Sequence, residues 1–146
     1  MAEGLLKHLY GEKYEVFSAG SNPTQVNPFA VKVMAEMGID ISRQYSKSIE
    51  MFRNEEIDLV VSVCQSNPKL VCSLCSSPIV MGRPEKVYTT IPGAKHYVHH
   101  GFSDPSEADG NDEERAMAFR LIRDDIKKWI IDSFKNPRTL ISDNDV

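Results

Sequence analysis

Three cysteines are the residues of this sequence whose chemistry and spacing most suggest a function. Cys64 ends an apolar, β-branched run, and Cys72 and Cys75 follow it by 8 residues (72 minus 64) and 11 residues (75 minus 64). Three thiols cannot all pair internally, which favours redox, metal-binding or packing roles over structural disulfides. Cys64 is either a reactive thiol at the end of a strand or a small buried hydrophobe, and its position alone supports both.

The same cysteines also suggest a zinc site. Cys72-x2-Cys75 is followed after 20 residues by His96-x2-His99, with His100 adjacent, and these are ligand types that tetrahedral zinc accepts. If the histidines lie on a strand, however, His96 and His99 point to opposite faces, which argues against joint ligation. We therefore predict no metal and no other cofactor, and we expect these histidines to be packed or solvated near the end of a sheet.

One Asp-Pro dipeptide is a further candidate feature of the sequence. Asp104 and Pro105 form a dipeptide that by itself usually indicates a turn. The dipeptide follows the last predicted strand.

Composition limits the class of protein. The chain has 146 residues, 41% hydrophobic and 26% charged, which suits one globular domain. The net charge is -4 without a Lys/Arg cluster, so nucleic acid is not an expected partner. No apolar run reaches the ~18 to 20 residues of a membrane span. The first residues do not resemble an export signal, so we predict a cytoplasmic protein without a membrane partner.

The first half of the chain is predicted as helix, strand, helix. Helical spacing of apolar residues predicts a helix from the first residue to Gly11, and residues 14–17 are predicted as a short strand. Asn27 as N-cap and Pro28 as the first helical residue predict a second helix that stops at Gly38.

The second half continues the alternation. Residues 48–55 are predicted as a shorter helix, 57–64 as a parallel strand covered on both faces, and 95–101 as the last strand. Residues 65–92 are predicted mainly as loop, and residues 103–112 as a polar loop. One apolar stripe predicts a long final helix: Met117, Leu121, Ile122, Ile126, Trp129, Ile130 and Phe134. Such alternation predicts an α/β fold with a parallel sheet.

Several segments together resemble the low-molecular-weight tyrosine phosphatase superfamily, most closely its thioredoxin-coupled arsenate reductases. The resemblance covers roughly residues 1–134, and the order and spacing of the segments make it specific. The matching segments are MAEG at 1–4, SAG at 18–20, VNPFAVKVMAEMGIDIS at 26–42, DLVVSVC at 58–64 and HGFSDP at 100–105.

The resemblance implies a three-layer α/β/α domain whose first strand leads into a Cys-x5-Arg phosphate loop before the MAEG helix. This sequence begins at that helix, so we expect residues 1–136 to form a domain without the first central strand, and 137–146 to be a disordered tail. Met1 is then an internal methionine of a longer protein, the preferred explanation, or the start of a natural truncation. We expect the chain alone to be marginally stable or sticky.

The resemblance also implies roles for the candidate residues. Cys64 matches the thiol that attacks an arsenate adduct on the loop cysteine, releasing arsenite and forming a disulfide. Either Cys72 or Cys75 matches the thiol that carries the disulfide outward to thioredoxin, and Asp104 matches the acid that assists loss of hydroxide. The alternatives are a tyrosine phosphatase with Asp104 as general acid, and an inactive remnant that binds a partner.

Overall fold

The computed structural model describes residues 1–20, 23–63, 91 and 93–136. Cys64, Cys72, Cys75, most of the predicted loop at 65–92 and the predicted tail at 137–146 lie outside these residues. The described elements are, in order, α1 (Ala2–Tyr10), α2 (Pro28–Ala35), a 3-10 turn (Ile49–Phe52), β1 (Ile57–Ser62), β2 (Ala94–His99), a second 3-10 turn (Pro105–Glu107) and α3 (Asp112–Phe134).

A parallel strand pair forms the sheet of the described part. β1 and β2 run in the same direction, with Ile57 opposite Ala94 and Ser62 opposite His99. This pairing confirms the predicted parallel arrangement of the strands. Parallel strands need a long connection between them, and here residues 63–93 separate the two strands. Most residues of β1 are half-buried and Asp58 is exposed, so the full coverage on both faces that we predicted is not seen in the described residues.

Local signals place the start of α2 as predicted and its end close to the predicted stop. The side chain of Asn27 accepts a hydrogen bond from the Phe29 amide at 2.9 Å, and Pro28 is the first helical residue. Beyond Ala35 the chain turns through Gly38, whose φ of 74° lies in the left-handed region that glycine tolerates best. The N-cap therefore lies where the sequence predicts it, and α2 ends at Ala35, shortly before the turn at Gly38 that was predicted to stop it.

The α-helices enclose the hydrophobic core. α3 packs against both α1 and α2. The largest fully buried side chains come from α1, α2, the segment after α2, and α3: Leu5, Val33, Met34, Ile41 and Ile130. The core therefore holds α1 and α2 to one long helix.

The buried face of α3 differs from the predicted stripe. Met117 and Leu121 are 50% and 61% exposed, whereas Phe119 and Arg123 are buried. Arg123 was not part of the predicted stripe. Its guanidinium is accommodated because it donates to the backbone carbonyl of Val33 at 2.8 Å, which satisfies a buried polar group.

The strand predicted at residues 14–17 is not formed. Val16 is buried, but the parallel bridge nearest to this segment joins Gly20 to Ser48. An extended segment becomes a strand only where a neighbouring backbone pairs along its length, and within the described residues that pairing is confined to Gly20. The helix predicted at 48–55 is likewise a single 3-10 turn, which Ser48 caps by accepting from the Glu50 amide.

Candidate functional site at the carboxyl ends of the strands

The parallel ladder extends beyond both strands at their carboxyl ends. The amide of His100 donates to the carbonyl oxygen of Ser62 at 2.9 Å, and the amide of Phe102 donates to that of Val63 at 3.2 Å. Carboxyl ends of parallel strands are where open α/β sheets place their ligand sites. Val63, the residue directly before Cys64, is therefore hydrogen-bonded to the segment that leads into Asp104.

Asp104 lies on the surface at the start of the second 3-10 turn. It is exposed, and its Oδ1 accepts from the backbone amide of Ser106 at 2.9 Å and from the Ser106 hydroxyl at 2.7 Å. This is the side chain-to-backbone turn that an Asp-Pro dipeptide favours. The turn and the proton-transfer interpretations are thus compatible, since the capped carboxyl group remains accessible to a substrate.

Aromatic rings fix the segment between β2 and Asp104. The His100 ring stacks on Trp129 of α3 with centroids 4.9 Å apart and planes 21° apart. Phe102 meets the same indole edge-on at 6.0 Å and the His100 ring at 4.8 Å. Residues two apart in an extended chain share a face, so His100 and Phe102 both point to α3.

The histidines of β2 do not assemble a metal site with other described residues. His96 pairs with Leu59 and His99 with Ser62, and no group of three or more His, Cys, Asp or Glu suited to a metal occurs in the part of the chain that the structure describes. Burial, and then the nearby His100, lower the pKa of His99, although a hydrogen bond with the Ser62 backbone opposes this. The neutral imidazole is favoured.

A buried ion cluster at α1 was not assigned by sequence reasoning. Glu3 is only 7% exposed, and its carboxylate contacts Lys7 Nζ at 2.7 Å and Lys47 Nζ at 3.3 Å and accepts a hydrogen bond from the Ser18 hydroxyl.

 

Opposing effects act on the pKa of Glu3. Burial by itself would raise it, but hydrogen bonds from Lys7, Ser18 and Lys47 outweigh burial and hold the pKa below its usual range. Glu3 and Ser18 lie in the MAEG and SAG segments of the resemblance, which was the only signal pointing to them. Lys47 carried no signal, because it is 44 residues away from Glu3 along the chain.

Comparison with known proteins identifies the family. A family model described as low molecular weight phosphotyrosine protein phosphatase matches residues 1–138. The arsenate reductase of Halalkalibacterium halodurans is 41% identical over 130 residues, which cover 89% of this chain and 81% of that protein. The arsenate reductase of Bacillus subtilis is 38% identical over 126 residues, covering 86% of this chain and 78% of that protein. The chain therefore belongs to the low-molecular-weight phosphotyrosine protein phosphatase family.

Solved structures agree with the sequence matches. An arsenate reductase in its oxidized state has a TM-score of 0.63 and 27% identity, covering 97% of this chain and 86% of that chain. A second, an arsenate reductase in the phosphate binding state, has a TM-score of 0.61 and 25% identity, covering 92% of this chain and 85% of that chain. These relatives confirm the predicted α/β fold class, and they bear out the prediction of an enzyme of the arsenate reductase branch.

Proposed function

We propose that the chain reduces arsenate to arsenite through a cysteine relay that includes Cys64. The observation that supports this most directly is the hydrogen bond from the Phe102 amide to the Val63 carbonyl. Val63 directly precedes Cys64 in the sequence, and the bond holds Val63 beside the segment that leads to Asp104. An accessible carboxyl group at the carboxyl edge of a parallel sheet, with a cysteine next to Val63 in the sequence, suits oxyanion chemistry.

The reduction requires two electrons, which two thiols supply by forming one disulfide. In the proposed step, the Cys64 thiolate attacks a sulfur already bonded to arsenic. A sulfur–sulfur bond forms, the arsenic–sulfur bond breaks, and its electron pair stays on arsenic, which leaves as arsenite. The first arsenic–sulfur bond is expected on a loop cysteine of the Cys-x5-Arg type, which matches no residue of this sequence.

Asp104 is proposed to assist the loss of oxygen from arsenic. Formation of the arsenic–sulfur bond displaces an oxygen, which leaves more readily as water than as hydroxide, and a nearby carboxyl group can supply the proton. The exposed carboxyl group, oriented through Oδ1 by Ser106, suits this role.

Regeneration is proposed to use Cys72 or Cys75 and thioredoxin. The second thiolate attacks the disulfide of Cys64 and becomes part of a new disulfide, which the thioredoxin dithiol then reduces with two electrons. Such a cycle needs a reducing compartment, and we propose the cytoplasm. No helix of the described residues is long and apolar enough to cross a membrane.

The test measures thioredoxin-dependent arsenite release by the protein expressed with any residues that its gene encodes upstream of Met1. Cys64→Ser is expected to reduce release to background, and Asp104→Asn to lower kcat roughly 100-fold. One of Cys72→Ser and Cys75→Ser is expected to stop turnover, and the other to serve as its matched control. Intact release in Cys64→Ser would show that the relay assignment is wrong. Hydrolysis of a phosphate ester without arsenite release would favour the phosphatase alternative.

A further inference from the structure

We propose that Trp129 is a positioning residue, which holds the segment between β2 and Asp104 against α3 and thereby presents the Asp104 carboxyl group at the site. This inference rests on the proposed function, because it assigns a purpose to the position of Asp104.

The first support is the set of ring contacts before Asp104. The indole of Trp129 stacks with the His100 ring at 4.9 Å and meets Phe102 at 6.0 Å. Its position is itself fixed by an edge-on contact with Phe134 at 5.7 Å, and Phe134 is buried in the core. The contacts thus connect the segment to the core of the domain.

The second support is an anchor on the other side of Asp104. The 3-10 turn at Pro105–Glu107 also packs against α3. On the sheet side, the Ser62 and Val63 carbonyls hold the His100 and Phe102 amides. The chain is therefore anchored on both sides of Asp104. These anchors fix the backbone of Asp104, while its side chain remains exposed.

The physical consequence is pre-organisation. A proton donor must be held close to its productive geometry, and contacts outside the reacting groups supply that order. Aromatic pairs of this type contribute enough that losing them changes a local equilibrium roughly 2- to 10-fold. Loss of the indole is expected to lower kcat while the KM for arsenate changes little, because Trp129 acts through Asp104.

The experiment compares Trp129→Leu, Trp129→Phe and, as a control on the same helix, Leu121→Ala, which is 61% exposed in the native chain. In Trp129→Leu, the amide exchange rates of residues 100–107 are expected to be roughly 2- to 10-fold higher than in the native protein. The exchange rates of the α1 amides serve as the internal reference. Trp129→Phe keeps a ring and is expected to restore native exchange and kcat. Leu121→Ala is expected to match the native protein.

His100→Ala keeps the test available if Trp129→Leu fails to fold. Trp129 is the only tryptophan of the chain, so the emission of the protein reports its surroundings. Removing the stacked imidazole is expected to shift that emission to longer wavelength and to loosen residues 100–107. Native exchange and native emission in His100→Ala would overturn the proposal.

Failure of this inference and failure of the proposed function give different results. If Asp104→Asn lowers kcat but Trp129→Leu leaves kcat unchanged, the positioning role is overturned and the proposed function stands. If Asp104→Asn leaves arsenite release intact, the role of Asp104 is wrong and the positioning proposal falls with it.

Discussion

The amide of Phe102 donates to the carbonyl oxygen of Val63 across 3.2 Å, so the parallel ladder continues past both strands. This bond joins the end of β1 to the segment that leads to Asp104. A short segment beyond a strand is usually free to vary, but here its backbone groups are paired, and its rings pack on α3. The candidate site is therefore built on paired backbone rather than on an unsupported loop.

Replacing Arg123 is expected to destabilise the fold. Its guanidinium donates to the Val33 carbonyl at 2.8 Å and to Asp124 at 2.7 Å, and it is buried. Arg123→Ala leaves a buried carbonyl unpaired, which costs about 1 to 3 kcal/mol of unfolding free energy. Urea unfolding followed by Trp129 fluorescence measures the loss. Arg53→Ala removes an exposed pair with Glu50 and is expected to cost less than about 1 kcal/mol. Equal losses in the two variants would contradict the prediction.

Stability is expected to fall in acid partly through Glu3. The pKa of Glu3 is lowered in the folded protein, so its contribution is present above the unfolded pKa and is lost as pH falls through the folded value. Glu3→Gln should therefore flatten the acid limb of a plot of unfolding free energy against pH. Glu12→Gln is an exposed control that should leave the limb unchanged. An unchanged limb in Glu3→Gln would show that the cluster does not contribute.

Gly38 is expected to resist substitution for a backbone reason. Its φ of 74° is unfavourable for a residue with a Cβ, although the space around that atom is open. Gly38→Ala should cost roughly 1 to 2 kcal/mol. Gly20→Ala is the matched control, because an added Cβ there also meets nothing within 4 Å. Thermal unfolding of both variants checks the prediction, and a native Tm for Gly38→Ala would refute it.

The exposed apolar side chains are expected to make the chain bind an apolar dye. Phe17 is 55% exposed beside Phe52, and Met51 and Val63 are 58% and 42% exposed. Dye fluorescence in native buffer measures this surface, and Phe17→Ser should reduce it. A cooperative melt above roughly 55 °C without dye binding would argue against the expected marginal stability.

Local signals in the sequence predicted much of the secondary structure. The Asn27 cap and the Gly38 stop bounded α2, because capping and left-handed φ depend on residues next to one another. The apolar, β-branched run of β1 was likewise recognisable, and its parallel pairing with β2 followed from the alternation of elements. The family followed from short segments in a fixed order, although no one of them was decisive.

Only the tertiary structure decided which face of α3 is buried and whether residues 14–17 pair as a strand. Arg123 can be buried because the Val33 carbonyl, 90 residues away along the chain, accepts a hydrogen bond from its guanidinium. Glu3 is ionised in the interior because Lys47 and Ser18 reach it from distant segments. Charge patterning along one helix cannot show such partners, since burial of a charged group depends on contacts that form only when the chain folds.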